Sequence, residues 1–159
     1  MINDFLFTII LFWLLISISL EDIRTLLISN KNLIMLAMSG LLYSFINGYL
    51  NKEINTLDLL SNNLQVTIII FTSMTSISLL SYKLLGVNSL GLGDIKLASF
   101  AVSWIGLEGV LSAISISLIL SSIYFLYNKT IRKVKIFHQY PFAPFVSLGI
   151  FWTWIIAKI

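Results

Sequence analysis

Two aspartates stand against long apolar runs, where a charged side chain is costly. Asp22 follows the run Phe5–Leu20 by two residues, with Glu21 beside it, and Asp94 precedes the run Ile95–Leu107 at the end of Gly91-Leu92-Gly93-Asp94. An aspartate at the centre of a membrane helix costs about 2.5–3.5 kcal/mol, so an acid kept at such a depth marks a candidate functional site. Two carboxyl groups brought close cannot both ionise easily and share a proton near neutral pH. One can then take a proton from water while its partner gives one to a peptide carbonyl. That chemistry needs no metal and no cofactor, and it suits a chain with no cysteine and the single histidine His138, which we read as an ordinary loop residue. Taken singly, each acid has a plainer reading: Asp22 as a solvated charge paired with Arg24, and Asp94 as an N-cap, a position that favours aspartate. The glycines Gly91 and Gly93 allow a tight turn and close backbone approach, so that a substrate strand could lie beside the acid. Lys96 either reaches for the membrane interface or lowers the proton affinity of a nearby carboxylate. Of the other acids, Asp4, Glu53 and Asp58 fall in polar ends or loops and Glu108 in a turn.

The elements that must bring these acids together are membrane helices. Of 159 residues, 58% are hydrophobic and 11% charged, with a mean hydropathy of +0.96. Soluble domains carry about 25% charged residues, and a small soluble globule leaves too much surface exposed to hide so many apolar side chains. We expect one membrane domain, residues 1–159, all α-helical. The apolar runs are Phe5–Leu20, Leu33–Leu50, Leu64–Leu85, Ile95–Leu107, Val110–Tyr127 and Pro141–Ala157. They are joined by Asn51–Asn63, readable as surface helix or loop, by the glycine-rich Gly86–Gly93, by an interruption at Glu108-Gly109, and by the basic Asn128–Tyr140. The first run lacks a preceding basic residue and a cleavage pattern, so we expect a retained helix rather than a signal peptide.

A span needs about 20 apolar residues, and the fourth run, Ile95–Leu107, rises only about 20 Å as a helix. Charge decides whether it crosses. With six spans and the N-terminus outside, the cytoplasmic side holds Arg24, Lys31, Lys83, Lys96, Lys129, Arg132, Lys133 and Lys135, and the outer side only Lys52 and Lys158. Without a fourth span the basic residues divide evenly. The usual cytoplasmic excess therefore selects six spans in the cytoplasmic membrane, with the fourth tilted or in a locally thinned bilayer. It also sets Asp22 and Asp94 on one face. The basic residues sit in gaps between apolar runs as orientation signals and lipid-headgroup contacts rather than forming a nucleic-acid stripe.

Gly91-Leu92-Gly93-Asp94-Ile95-Lys96-Leu97 resembles the GxGDxKL signature of bacterial type IV prepilin peptidases, a family of GxGD aspartic proteases. The family's first aspartate is followed after a short interval by an Ile-Pro-Asn-like triplet, and Ile28-Ser29-Asn30 stands at that spacing from Asp22. A Pro-Phe-x-Pro-Phe segment before a last helix with Leu-Gly is matched by Pro141-Phe142-Ala143-Pro144-Phe145 and Leu148-Gly149. The resemblance implies that Asp22, not Glu21, is the first catalytic acid and Asp94 the second. It implies that Gly91, Gly93 and Lys96 belong to the active-site motif, and that Asn30, Pro141, Phe142 and Pro144 are structural or substrate-side. It also implies the substrate: a prepilin or pilin-like protein, cut between a short basic leader and an apolar helix at the cytoplasmic face. Ser29 replaces the usual proline and is expected to start the second helix by capping it. The cysteine-bearing N-terminal domain of the long members has no counterpart here, so we expect a peptidase without methyltransferase activity. Presenilin-like and signal-peptide-peptidase proteases share only the GxGD element; archaeal preflagellin peptidases are nearer. Outside enzymology, a small transporter or assembly subunit would use the same acids to bind ions or pair with lysines.

Overall fold

A computed structural model of the chain describes residues 2–50, 56–86, 90–131 and 140–158. Every regular element among them is an α-helix: α1 (Ile2–Thr25), α2 (Asn30–Leu50), α3 (Thr56–Leu85), α4 (Leu92–Phe100), α5 (Val102–Thr130) and α6 (Ala143–Ile156). Four of these, α1, α2, α3 and α5, are long and apolar enough to cross a membrane, and α6 is a shorter apolar helix. The helices are hydrophobic all round, as lipid-bathed helices are. Leu11, Ile18, Leu36 and Ile150 fill the core, while Phe5, Leu79, Leu84 and Tyr49 lie more than two-thirds exposed.

Contacts define the two ends of the bundle. At one end Tyr43 stacks on Trp104 with ring centroids 5.8 Å apart, Trp104 meets Trp154 edge-on at 5.5 Å, and Phe7 packs against Tyr43 at 5.2 Å. The Trp104 indole donates to the Leu36 carbonyl and the Trp154 indole to Thr8 Oγ1, each at 2.9 Å. Lys158 closes this end with an ion pair to Asp4 at 3.1 Å and lies over the Tyr43 and Trp154 rings. Asp22, Asn30, Asp94 and the start of α6 share the opposite end. Buried polar groups tie the interior across helices: Asn63 Nδ2 donates to Ser44 Oγ at 3.1 Å, and Ser44 Oγ to the Ser103 carbonyl at 2.7 Å. At Gly149 of α6 an added Cβ would lie 2.4 Å from the Ala113 carbonyl oxygen of α5, so the absence of a side chain lets these two helices touch backbone to backbone.

Three sequence expectations change. The stretch Asn51–Asn63 is helical from Thr56 onward; residues 51–55, with Lys52 and Glu53, lie outside the described residues. The fourth run is α4 continued through Ala101 into the first turn of α5, carrying Trp104 to the aromatic end about 20 Å away. Its break falls at Gly106, not at Glu108-Gly109. Gly106 has φ 67°, ψ −177°, a region open essentially to glycine alone, whereas Gly109 is helical and sits against the Ile105 side chain. Glu108 is exposed just beyond this break. Arg132, Lys133, Lys135 and His138 lie outside the described residues.

Candidate active site

Asp22 lies one turn from the end of α1 and is 5% exposed. The helix stops there because Leu26 takes a left-handed conformation, φ 54°, with its N–H still bonded to the Asp22 carbonyl at 2.9 Å. A non-glycine residue in this region costs about 1–2 kcal/mol, and the sharp turn it makes sends the chain directly into α2. Arg24 is exposed and does not ion-pair with Asp22. The partner of Asp22 comes from the far end of the sequence: the Ala143 N–H donates to Asp22 Oδ2 at 3.0 Å.

This contact explains the Pro-Phe-Ala-Pro-Phe segment locally. Ala143 is the first residue of α6 and Phe142 its N-cap, with Pro144 following. The first N–H groups of a helix have no intrahelical partner, and the helix dipole adds positive character there. The Ala143 N–H, between Pro141 and Pro144, is such a free amide, and it binds the Asp22 carboxylate.

Asp94 is the third residue of α4, whose N-cap is Gly91. It is therefore not the cap; its side chain turns back toward Gly91. A Cβ on Gly91 would sit 3.0 Å from Asp94 Oδ2, and one on Gly93 would sit 3.1–3.2 Å from Ile28. Gly91 has φ −71°, ψ 145°, a conformation any residue adopts. Both glycines are needed for room rather than for backbone freedom: Gly91 admits the carboxyl, and Gly93 admits the α1–α2 turn. Asp94 Oδ1 is buried with no hydrogen-bond partner among the described residues. A buried polar atom left unsatisfied is uncommon and calls for an explanation.

The two acids come from helices 72 positions apart in sequence (94 − 22), yet both line the same two cavities and are near enough for the charge of Asp22 to act on Asp94. Lys96 donates to Asn30 Oδ1 at 3.0 Å and, among the described residues, pairs with no acid, so it ties the start of α2 to α4. Ser29 caps α2: its Oγ accepts the Asn32 N–H at 3.4 Å and its carbonyl the Leu33 N–H at 3.3 Å. Pro141 and Phe142 line the larger cavity, and Pro144 sits in the first turn of α6.

Sequence reasoning missed Glu21. Its Oε2 accepts from the Ser29 N–H at 3.1 Å and from Asn32 Nδ2 at 2.9 Å, pinning the turn that holds Asp22. The signal was an acid one helix turn before a break and eight residues before a capping serine. The cavity walls on α3 and α5 were also missed, because nothing in an apolar run distinguishes a cavity-facing serine from a lipid-facing one.

A family model, that of the type IV leader peptidase family, matches residues 9–126, which include Asp22, Asn30 and Asp94 but end before Pro141. No curated protein and no solved structure matches the chain. The chain belongs to the type IV leader peptidase family, a family of proteases.

Proposed function

We propose that this member of the type IV leader peptidase family is an aspartic endopeptidase that removes the basic leader from a type IV prepilin or pilin-like protein, with Asp22 and Asp94 as its catalytic pair. The supporting observation is that two acids from separate helices open on one cavity, one bound by the first amide of α6 and the other with an unbonded buried oxygen. In this reading the pair holds one proton between its members. The ionised carboxyl takes a proton from a water, and the water oxygen bonds to the scissile carbonyl carbon. The protonated carboxyl gives its proton to the carbonyl oxygen. The gem-diol then collapses, the C–N bond breaks, and a proton passes to the leaving amine, restoring a singly protonated pair. Gly91, Gly93, Lys96 and Asn30 hold the two acids in register, as do the amides beside Pro141 and Pro144. None of this requires a metal or cofactor.

The membrane arrangement belongs to the same proposal. Six crossings of the cytoplasmic membrane with the N-terminus outside put both acids at the cytoplasmic end, where a basic leader is retained by the positive-inside rule. The aromatic end with Trp104 and Trp154 then faces outward, at an interface where tryptophan is favoured.

The test is cleavage of prepilins by purified protein in proteoliposomes with no metal added. Asp22→Asn and Asp94→Asn should each cut the rate by roughly 10²–10⁴-fold while inserting and folding like the parent. Near-parental activity in either variant removes that residue from the mechanism. Failure of the parent on a panel of leaders removes the peptidase reading.

A further inference from the structure

The two cavities meeting at Asp22 and Asp94 differ in size and chemistry. The smaller, about 260 Å³, is walled by the α1–α2 turn and α4 and includes Asn30 and Lys96. The larger, about 1130 Å³, runs from the acids between α3 and α5. It exceeds the roughly 300–1,000 Å³ of small-molecule sites. Among the described residues, its lining has no charged group apart from the two acids. On α3 it reaches Thr75, ten residues before the helix ends, and on α5 Leu118, twelve before the end. At about 1.5 Å per residue that is a depth of about 15–18 Å, half a bilayer core.

We infer that the groove between α3 and α5 seats the first turns of the substrate's apolar helix, immediately beyond the bond to be cut; the inference rests on the peptidase reading above. Four observations converge. The groove is continuous with both acids, whereas the smaller cavity that also reaches them has no room for a helix about 10 Å wide. The apolar walls are uncovered: Leu79 is 68% exposed, Leu118 50% and Leu126 58%. The walls mix small residues, Thr75, Ser78, Ser121 and Ser122, where a helix can approach closely, with the apolar Leu79, Leu118, Phe125 and Leu126. Their hydroxyls ask nothing of the occupant, because Thr75 bonds to the Phe71 carbonyl at 2.8 Å, Ser78 to that of Leu90 at 3.1 Å and Ser122 to that of Leu118 at 2.6 Å. The groove is thus an apolar half-channel ending at two acids. It matches a substrate that is apolar on one side of its cut bond only.

Two measurements test this on the intact protein in proteoliposomes. The chain has no cysteine, so single cysteines report cleanly. In an Asp94→Asn background, Ser122→Cys should form a disulfide with a cysteine placed in the first turns of a prepilin helix, and Trp152→Cys on the exposed side of α6 should not. Separately, Ser122→Trp should slow cleavage by about ten-fold, the scale of overpacking a fitted contact. Ile119→Trp, on the same helix but outside the groove, should stay within about two-fold of the parent. Cross-linking at Trp152→Cys but not Ser122→Cys, Ser122→Cys trapping only a second copy of the chain, or full activity in Ser122→Trp would each overturn the inference while leaving a cleaving parent as a peptidase. A parent that cleaves nothing would overturn both.

Discussion

Replacing Gly91 by alanine adds one methyl group directly against the Asp94 carboxyl. The added Cβ lies 3.0 Å from Asp94 Oδ2 and 3.9 Å from Cγ, so the carboxyl must give by a few tenths of an ångström. The backbone does not object, since φ −71°, ψ 145° suits alanine. Alanine even lowers the entropy of the unfolded chain, a gain of about 0.4–1 kcal/mol. Pushing the Asp94 side chain off its rotamer costs about 0.5–1.5 kcal/mol. These effects nearly cancel, and stability should stay within about 1 kcal/mol of the parent. Activity should not. A misplacement of about 1 Å in a catalytic constellation can cost about 10²-fold, so a shift of a few tenths should cost about ten-fold, mainly in kcat because substrate contacts are unchanged. The assay is prepilin cleavage kinetics in proteoliposomes beside unfolding of the same preparation in detergent. Parental kcat would refute the idea that Gly91 exists to admit the Asp94 carboxyl. Loss of stability and activity together would show that the glycine serves the fold instead.

Gly106 should behave in the opposite way. Nothing lies within 4 Å of its missing Cβ, but its φ of 67° strains any other residue, so Gly106→Ala should destabilise by about 1–3 kcal/mol while each folded molecule keeps its activity, measured as cleavage per folded fraction. Lys96→Met and Asn30→Leu should each lower cleavage several-fold, and the double variant should be no worse than either single one, because both remove the same 3.0 Å hydrogen bond and a double-mutant cycle reports that coupling; additive losses would mean separate roles. A cysteine at Lys129→Cys should resist an impermeant reagent added outside intact cells and react after permeabilisation; ready labelling from outside would overturn the proposed orientation.

Composition alone determined the helical class and its solvent, because so apolar a chain leaves lipid as the medium and helices as the way to satisfy its backbone. The run lengths located the helices approximately, though α3 starts at Thr56 and the fourth run is divided between α4 and the start of α5, and Ser29 announced the cap of α2. Two features needed side-chain packing to appear. Glu21 and Asp22 are neighbours in sequence, but one residue turns a helix by about 100°. That rotation carries Asp22 into the bundle against Ala143 and leaves Glu21 on the rim, holding Ser29 and Asn32. Glycines were visible as breakers but not as to which would break: Gly106 turns the chain, Gly109 stays helical, and Gly91 and Gly93 serve to make room. The pairing of Asp22 with the Ala143 amide spans most of the chain and has no local signal. The sequence sets which residues carry charge and which stretches prefer lipid, since these are properties of residues and their near neighbours. Which acid points inward, which amides meet it and where a groove remains depend on how helices distant in sequence pack, and that is decided only when their surfaces come together.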